Sequence, residues 1–154
     1  MPDTTTTADT PTHAPTAVIG GGHTGHEVAT RLLAYDSPVT HITTSPPPAD
    51  TPDSLTVHVV PALDGTALRA VPGDRPHTVV VMCVDDANSL LVAQLARSRL
   101  DPTHLIVHIT TPSRSPAFER LDADIITTPH ALAAATVDSH PAPRASTHHS
   151  NENA

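Results

Sequence analysis

The sequence predicts an α/β protein with a doubly wound parallel sheet in the strand order 3-2-1-4-5-6, folded as a single domain over residues 16–138. Three observations predict it. Short apolar strands alternate with helical segments along this region. The run Val79–Val84 is apolar at every position, which is typical of a central parallel strand covered on both faces. A glycine-rich turn, Gly20–Gly25, follows the first strand, as in the Rossmann type of this fold.

Each element has its own signal, because helices show apolar residues three and four positions apart and buried strands show short apolar runs. The predicted strands are Thr16–Ile19, Val39–Thr43, Leu55–Val60, Thr78–Val84, Leu105–Ile109 and Asp124–Ile126. The predicted helices run from His23 to about Tyr35, around Thr66–Ala70, from Asp86 onward, from about Ser115 to Leu121, and from after Pro129 to about Val137.

Two segments carry more specific predictions. The helix from Asp86 is expected to pack through the stripe Ala87, Leu90, Leu91 and Leu95. Residues 45–53 include three consecutive prolines, which remove backbone donors and disfavour the helical region before each ring. We therefore expect no helix between the second and third strands.

The two ends of the chain differ from its middle. Residues 1–15 and 139–154 are rich in polar residues and proline and have little apolar surface to bury. Such segments do not offset the entropy lost on ordering. Both are predicted to be disordered tails.

Composition excludes several functional classes. The net charge is −8, with no lysine and no dense arginine cluster, which argues against nucleic-acid binding and against an anionic-membrane surface. Only two aromatic residues are present, too few for a base-stacking platform. The longest apolar run is too short to cross a bilayer, and neither a signal peptide nor a cysteine pair indicates export. We expect a cytoplasmic protein without direct membrane insertion.

The absence of lysine, the preference for Asp over Glu and the many prolines also form a consistent bias. It is explained either by codon usage in a GC-rich genome or by a halophile-like adaptation to high salt. The low total charge weakens the second explanation.

The strongest functional signal is the spacing Gly20-x-Gly22-x-x-Gly25 between a strand and a helix. In a dinucleotide fold the first glycine permits a tight turn, the second lets the backbone approach a diphosphate, and the third allows close helix packing. The free N–H groups near His23 and Thr24 then face an anion. This pattern predicts nucleotide binding at the turn.

Two further segments are candidates for the same site. Thr43 and Thr44 end the second strand, where such folds usually carry a ribose-binding acid. Either their hydroxyls replace the acid or the adenosine half of the site has been lost. Cys83, Val84, Asp85 and Asn88 follow the central strand. Asp85 is interpreted as a helix N-cap or as a residue beside a bound nucleotide, and both roles can hold together.

Catalysis has no support in the sequence. There is no nucleophile elbow, no Ser/His/Asp arrangement and no carboxylate pair in a suitable context. The twelve histidines lack the spacing of a metal site, and Cys83 lies in an apolar strand as a small core residue does. We therefore predict neither catalytic nor metal-binding residues.

Taken together, three blocks of sequence resemble the TrkA-N, or RCK N-terminal, family of NAD-binding regulatory domains in Trk and Ktr potassium transport systems. The blocks carry the glycine turn, an Asp-Asp-x-Asn motif at residues 85–88, and the pattern Glu-Arg-Leu-x-Ala-Asp-x-x-x-x-Pro ending at Pro129. The blocks are AVIGGGHTGHEVATRLL, HTVVVMCVDDANSLLVAQLARSRL and HLIVHITTPSRSPAFERLDADIITTP.

The resemblance implies a non-catalytic regulatory subunit that binds NAD(H) or another adenine nucleotide, ATP or ADP. Gly20, Gly22, His23, Thr24 and Gly25 are expected to meet the phosphates. Thr43 and Ala62 stand where the family usually has acids, so weak binding is expected. A homodimer or larger ring and a membrane potassium transporter subunit are the expected partners.

Two alternatives remain open from the sequence. One is a degenerate Rossmann interaction module that binds no nucleotide. The other is an NAD(P)-dependent oxidoreductase, since the triple glycine also resembles precorrin-2 dehydrogenase.

Overall fold

The protein is described by a computed structural model that covers residues 14–35, 37–71 and 75–141. Its strands form one parallel sheet in the order β3-β2-β1-β4-β5-β6, which confirms the predicted order. The strands are β1 (Thr16–Gly20), β2 (Val39–Thr43), β3 (Thr56–Val59), β4 (Thr78–Met82), β5 (His104–Ile109) and β6 (Asp124–Thr127). The helices are α1 (Gly22–Leu32), α2 (Asp86–Arg99) and α3 (Thr128–Asp138), with 3-10 segments at Leu33–Tyr35, Ala67–Ala70 and Pro112–Leu121.

The position of β1 and β4 creates the crevice at the carboxyl edge. These two strands are neighbours at the centre of the sheet, with Gly20 in register with Met82. Helix α1 follows β1 and packs on one face of the sheet, whereas α2 follows β4 and packs on the opposite face. The first turns of both helices therefore begin side by side, at the switch point where doubly wound folds bind ligands.

The ends of some elements differ from the prediction. Strand β4 stops at Met82, so Cys83 and Val84 leave the sheet, and Val84 is exposed. The segment at Pro112–Leu121 is a 3-10 helix with Pro116 inside it, because proline removes the donors that an α-helix needs. Residues 45–53 contain no helix, as expected from their prolines.

The predicted packing stripe of α2 is wrong in part. Leu91 is half exposed and Ala87 is exposed, while Leu90 and Leu95 are only partly buried. The fully buried face carries smaller residues, which let the helix axis approach the sheet closely. These residues are Ser89, Val92, Ala93 and Ala96.

The predicted tails lie mostly outside the described residues, since 1–13 and 142–154 are not covered. Disorder of the tails and the domain limits at 16 and 138 stay predictions. Of the helices in the described ranges, none combines the length and apolar character that crossing a membrane requires.

Candidate functional site

The glycine turn connects β1 to α1 through three residues with positive φ, at 81° for Gly20, 84° for Gly21 and 50° for Gly22. Gly25, one turn later, faces the carbonyl oxygen of Gly20, and any Cβ at residue 25 would collide with that oxygen. The helix therefore approaches the strand more closely than a side chain permits. This is the packing role that the spacing predicts for the third glycine.

Gly22 differs from its neighbours because a side chain at this position would project into open space. A Cβ placed there would meet no heavy atom within 4 Å. His23 and Thr24 are exposed beside it, and no side chain in the described residues caps the first turn of α1. Backbone N–H groups at an uncapped helix start form a favourable position for an anion.

Two residues that position this turn were not singled out from the sequence. Gly21 is needed because a Cβ there would lie 2.7 Å from the backbone of Gly25. His41 lies on β2, is 1% exposed, and donates from Nε2 to the carbonyl oxygen of Gly20 at 2.9 Å. Burial lowers the pKa of His41, and the nearby His26 lowers it further, although the hydrogen bond to Gly20 acts in the opposite direction. The sequence signal that could have identified His41 is its position, as a large polar residue, inside the buried strand β2.

The end of β2 is closed rather than open. Thr43 is 3% exposed, and its hydroxyl accepts a hydrogen bond from the Ser45 N–H at 3.1 Å. Only about 10 Å³ is left between this end and α1, which is room for about one water. The enclosing residues are Gly22, His23, His26, His41, Thr43, Ser45, Pro46, Pro47 and Pro48. A contact of Thr43 with a ribose stays a prediction, and its hydroxyl is already engaged.

A larger groove of about 330 Å³ lies next to it and gathers four of the predicted residues. Its walls come from the ends of β2 and β4, the loop after β3 and the start of α2. They are Thr44, Ala62, Leu63, Cys83, Val84, Asn88 and Val92. Its mixed apolar and amide lining suits a flat heterocycle better than a charged group.

The Cys83 thiol in this groove stays protonated. Burial raises its pKa to about 11, and the negative charge of Asp85 contributes in the same direction, while a hydrogen bond with Ser89 opposes them. A thiol in this state is a poor nucleophile.

The two adjacent acids perform structural tasks. Asp85 caps α2 by accepting from the Asn88 N–H at 2.8 Å and from the Asn88 side-chain amide at 2.6 Å. Asp86 is buried and accepts three hydrogen bonds from Thr110 and Thr111, which tie α2 to the end of β5. Burial raises the pKa of Asp86, but these hydrogen bonds together outweigh it and hold the pKa below its ordinary value. The capping interpretation of Asp85 is confirmed.

Thr24, exposed in the first turn of α1, also lines a third concavity of about 370 Å³ between α1 and α3. This hollow is almost wholly apolar. Its walls are Thr24, Val28, Val80, Met82, Ile106, His108, Ile126, Thr128, Ala131 and Leu132. The predicted site residues are thus divided among the turn, the closed end of β2, the groove and this hollow.

Across the described ranges, no group of three or more His, Cys, Asp or Glu side chains is arranged to hold a metal ion. The arrangement therefore offers backbone donors for an anion beside a groove for a flat ring. Both features are typical of nucleotide-binding sites.

Known structures share this architecture. The NAD(P)-binding domain of an exopolyphosphatase-related protein from Archaeoglobus fulgidus matches with a TM-score of 0.66 at 20% identity, covering 82% of this chain and 96% of that one. The TrkA-N domain of the inner membrane protein ybaL from Escherichia coli matches with a TM-score of 0.63 at 15% identity, covering 82% and 97%. The GsuK channel bound to NAD matches with a TM-score of 0.57 at 12% identity, covering 82% of this chain and 22% of the channel.

At these identities the structural likeness establishes the fold. Comparison with curated protein sequences found no match. Comparison with protein families matches residues 16–129 to the TrkA-N domain. This part of the chain contains the glycine turn, the Asp-Asp-x-Asn motif and the pattern ending at Pro129. Because this match spans most of the sequence, the chain belongs to the TrkA-N domain family.

Proposed function

We propose that this chain is a non-catalytic, nucleotide-responsive regulatory domain of a potassium transport system. The observation that carries the proposal is the intact glycine turn, with Gly22 facing open space, inside a match to the TrkA-N family. The shared fold of the NAD-bound GsuK channel and of the inner membrane protein ybaL supports the same role.

The ligand in this proposal is NAD(H), ATP or ADP, held mainly by its diphosphate. The backbone of Gly20–Gly25 and the exposed start of α1 receive the phosphates, and the groove at Thr44, Cys83, Val84 and Asn88 receives the base. Among the described residues that line the groove and the end of β2, there is no acid to hold the ribose hydroxyls. Losing such a charge-assisted pair costs about 1.5–3 kcal/mol, so binding is weak and poorly selective.

Calorimetric titration of ADP, ATP, NAD and NADH tests this proposal. We expect similar, weak affinities for the wild-type chain and no detectable binding to Gly22→Asp, which places a carboxylate at the phosphate position. Gly22→Ala is the matched control, because it carries the same backbone cost without the charge and retains part of the affinity. Equal affinity of wild type and Gly22→Asp would overturn the proposed site.

A second candidate function is an interaction module without a ligand. It is favoured by one observation, the closure of the end of β2 by His26, His41 and the three prolines. The same titration separates the two functions. Absence of binding by all four nucleotides to the folded wild-type chain would favour the module.

Regulation in this proposal is a population shift, in which the ligand favours one arrangement of a homodimer or ring that a membrane partner senses. Self-association is supported by α3, which is exposed along its whole length, with Leu132 65% and Val137 71% exposed. The apolar hollow between α1 and α3 continues this surface. Uncovered apolar surfaces of this kind mark interaction sites.

Sedimentation of wild type and of the double variant Leu132→Glu/Val137→Glu tests this assembly. We expect the wild type to be dimeric or larger at micromolar concentration and the variant to be monomeric and folded, since both positions are exposed. A monomeric wild-type chain would overturn the proposed assembly. The proposed location is the cytoplasm, at the membrane only through a transporter partner.

A further inference from the structure

We propose that ligand binding at the glycine turn is coupled to proton uptake at His41, which lies in a cluster with His23 and His26, so that the chain binds a diphosphate more tightly as the pH falls. This inference rests on the proposed function, because it concerns the regulation of the same site.

The cluster surrounds the small cavity behind the turn. His23 and His26 are one helical turn apart at the start of α1, and His41 reaches the cavity from β2. The imidazole rings of His26 and His41 have centroids 6.0 Å apart. Among the described residues, neither an arginine nor a carboxylate lines this cavity. Imidazole is therefore the nearest source of positive charge for a bound diphosphate.

The elements packed around His41 add no competing charge. Strand β1 contributes Gly20, and β3 places Val57 in register with His41. On α1, Glu27 and Arg31 are exposed and pair with each other at 2.8 Å. The carboxylates of Asp50 and Asp53 in the loop after β2 are exposed and do not line the cavity.

Two residues that line the cavity, His26 and His41, each carry a buried ring nitrogen without a hydrogen-bond partner among the described residues. Because Nε2 of His41 donates to Gly20, Nδ1 of the neutral ring carries a lone pair. This Nδ1 atom and the Nδ1 atom of His26 are both buried, and neither has a hydrogen-bond partner in the described part of the chain. Buried polar atoms are rarely left unpaired, and the cavity that both rings line has room for about one water. The Nδ1 atom of His41 is thus free to accept a proton.

The direction of the coupling follows from charge. Without a ligand, burial lowers the pKa of His41 and keeps the ring neutral. A diphosphate on the turn places negative charge against the cluster and favours the protonated form. A ligand that raises a pKa binds together with a proton, so its affinity increases as the pH falls. For one linked proton the limit is about tenfold per pH unit.

Titration with NAD tests the coupling, because its diphosphate diester has no ionisation in the range where histidine titrates. We expect about tenfold tighter binding at about pH 6 than at about pH 8. Repeating the titration in two buffers of different ionisation enthalpy measures the protons taken up directly. His41→Gln preserves a donor toward Gly20 without titrating. The proton uptake measured for the wild type keeps the test decisive if this variant does not fold.

The expected result is a flattened pH dependence and reduced proton uptake in His41→Gln. His104→Gln, at the opposite edge of the sheet, serves as the control and retains the wild-type behaviour. Wild-type affinity for NAD that is equal at both pH values, with no proton uptake, would overturn the coupling and leave the nucleotide site standing. Absence of NAD binding at both pH values would overturn this inference, and absence of binding by all four nucleotides would overturn the proposed function as well.

Discussion

The glycine turn and the end of β2 are neighbours on the carboxyl edge of the sheet, yet they leave different amounts of space in front of them. At the turn, a side chain at Gly22 would project into open space. At the end of β2, Thr43 is buried and about 10 Å³ remains beside the prolines. One half of the crevice is accessible to a ligand, and the other half is occupied by the chain itself.

In the proposed nucleotide site, the phosphate half and the ribose half depend on different kinds of interaction. The turn depends on backbone geometry, which a few glycines maintain. The ribose half depends on one side chain and on empty space beside it. The proline segment after β2 fills much of that space, while the turn at the end of the neighbouring strand keeps its form.

The largest expected effect is a loss of stability on substitution of Gly25, and Gly22 provides the comparison. Gly25→Ala places a Cβ against the Gly20 carbonyl and should lower the free energy of unfolding by about 2–3 kcal/mol. Gly22→Ala meets no atom within 4 Å, so only its positive φ opposes it, at about 1 kcal/mol. Denaturant unfolding of both variants measures the two losses. Equal losses would contradict the distinction between a packing glycine and an open one.

A carboxylate at the end of β2 tests whether the ribose half can be restored. Thr44 is exposed and lines the groove, so Thr44→Asp should tighten NAD binding about tenfold through charge-assisted hydrogen bonds to the ribose. Thr43→Asp should lower stability without tightening binding, because its carboxylate would be buried. Calorimetry with both variants decides between the positions. Tighter binding by Thr43→Asp alone would show that the closed end opens for a ligand.

The smallest expected effect is the pH dependence of stability from His41. Its pKa is lowered in the folded chain by burial, so the unfolded chain binds more protons as the pH falls below the ordinary value of about 6.5. Stability is therefore full above that pH and is lost below it, by at most about 1.4 kcal/mol per pH unit for one proton. Thermal unfolding between about pH 8 and about pH 5 should show a shallower loss for His41→Gln. An unchanged slope would show that His41 does not titrate on unfolding.

The sequence was sufficient to predict the strand order of the sheet, but it predicted the packing of α2 against the sheet less well. Alternating apolar runs and helical periodicity predicted all six strands, because parallel strands buried on both faces need apolar residues throughout. The predicted stripe on α2 was wrong in part because periodicity counts large apolar residues. Ala93 and Ala96 pack against the sheet instead, because their small side chains permit a close approach of α2 to the strands.

The same division applies to the site. The spacing of the glycines was evident from the sequence alone, and so was Asp85 as a candidate cap that the structure then confirmed, since both depend on residues close together in the chain. Only the tertiary structure decided that Thr43 is buried, that His41 holds the turn, and that His26 and the prolines close the end of β2. These features depend on contacts between segments distant along the chain, and no local pattern specifies which side chain occupies a shared space.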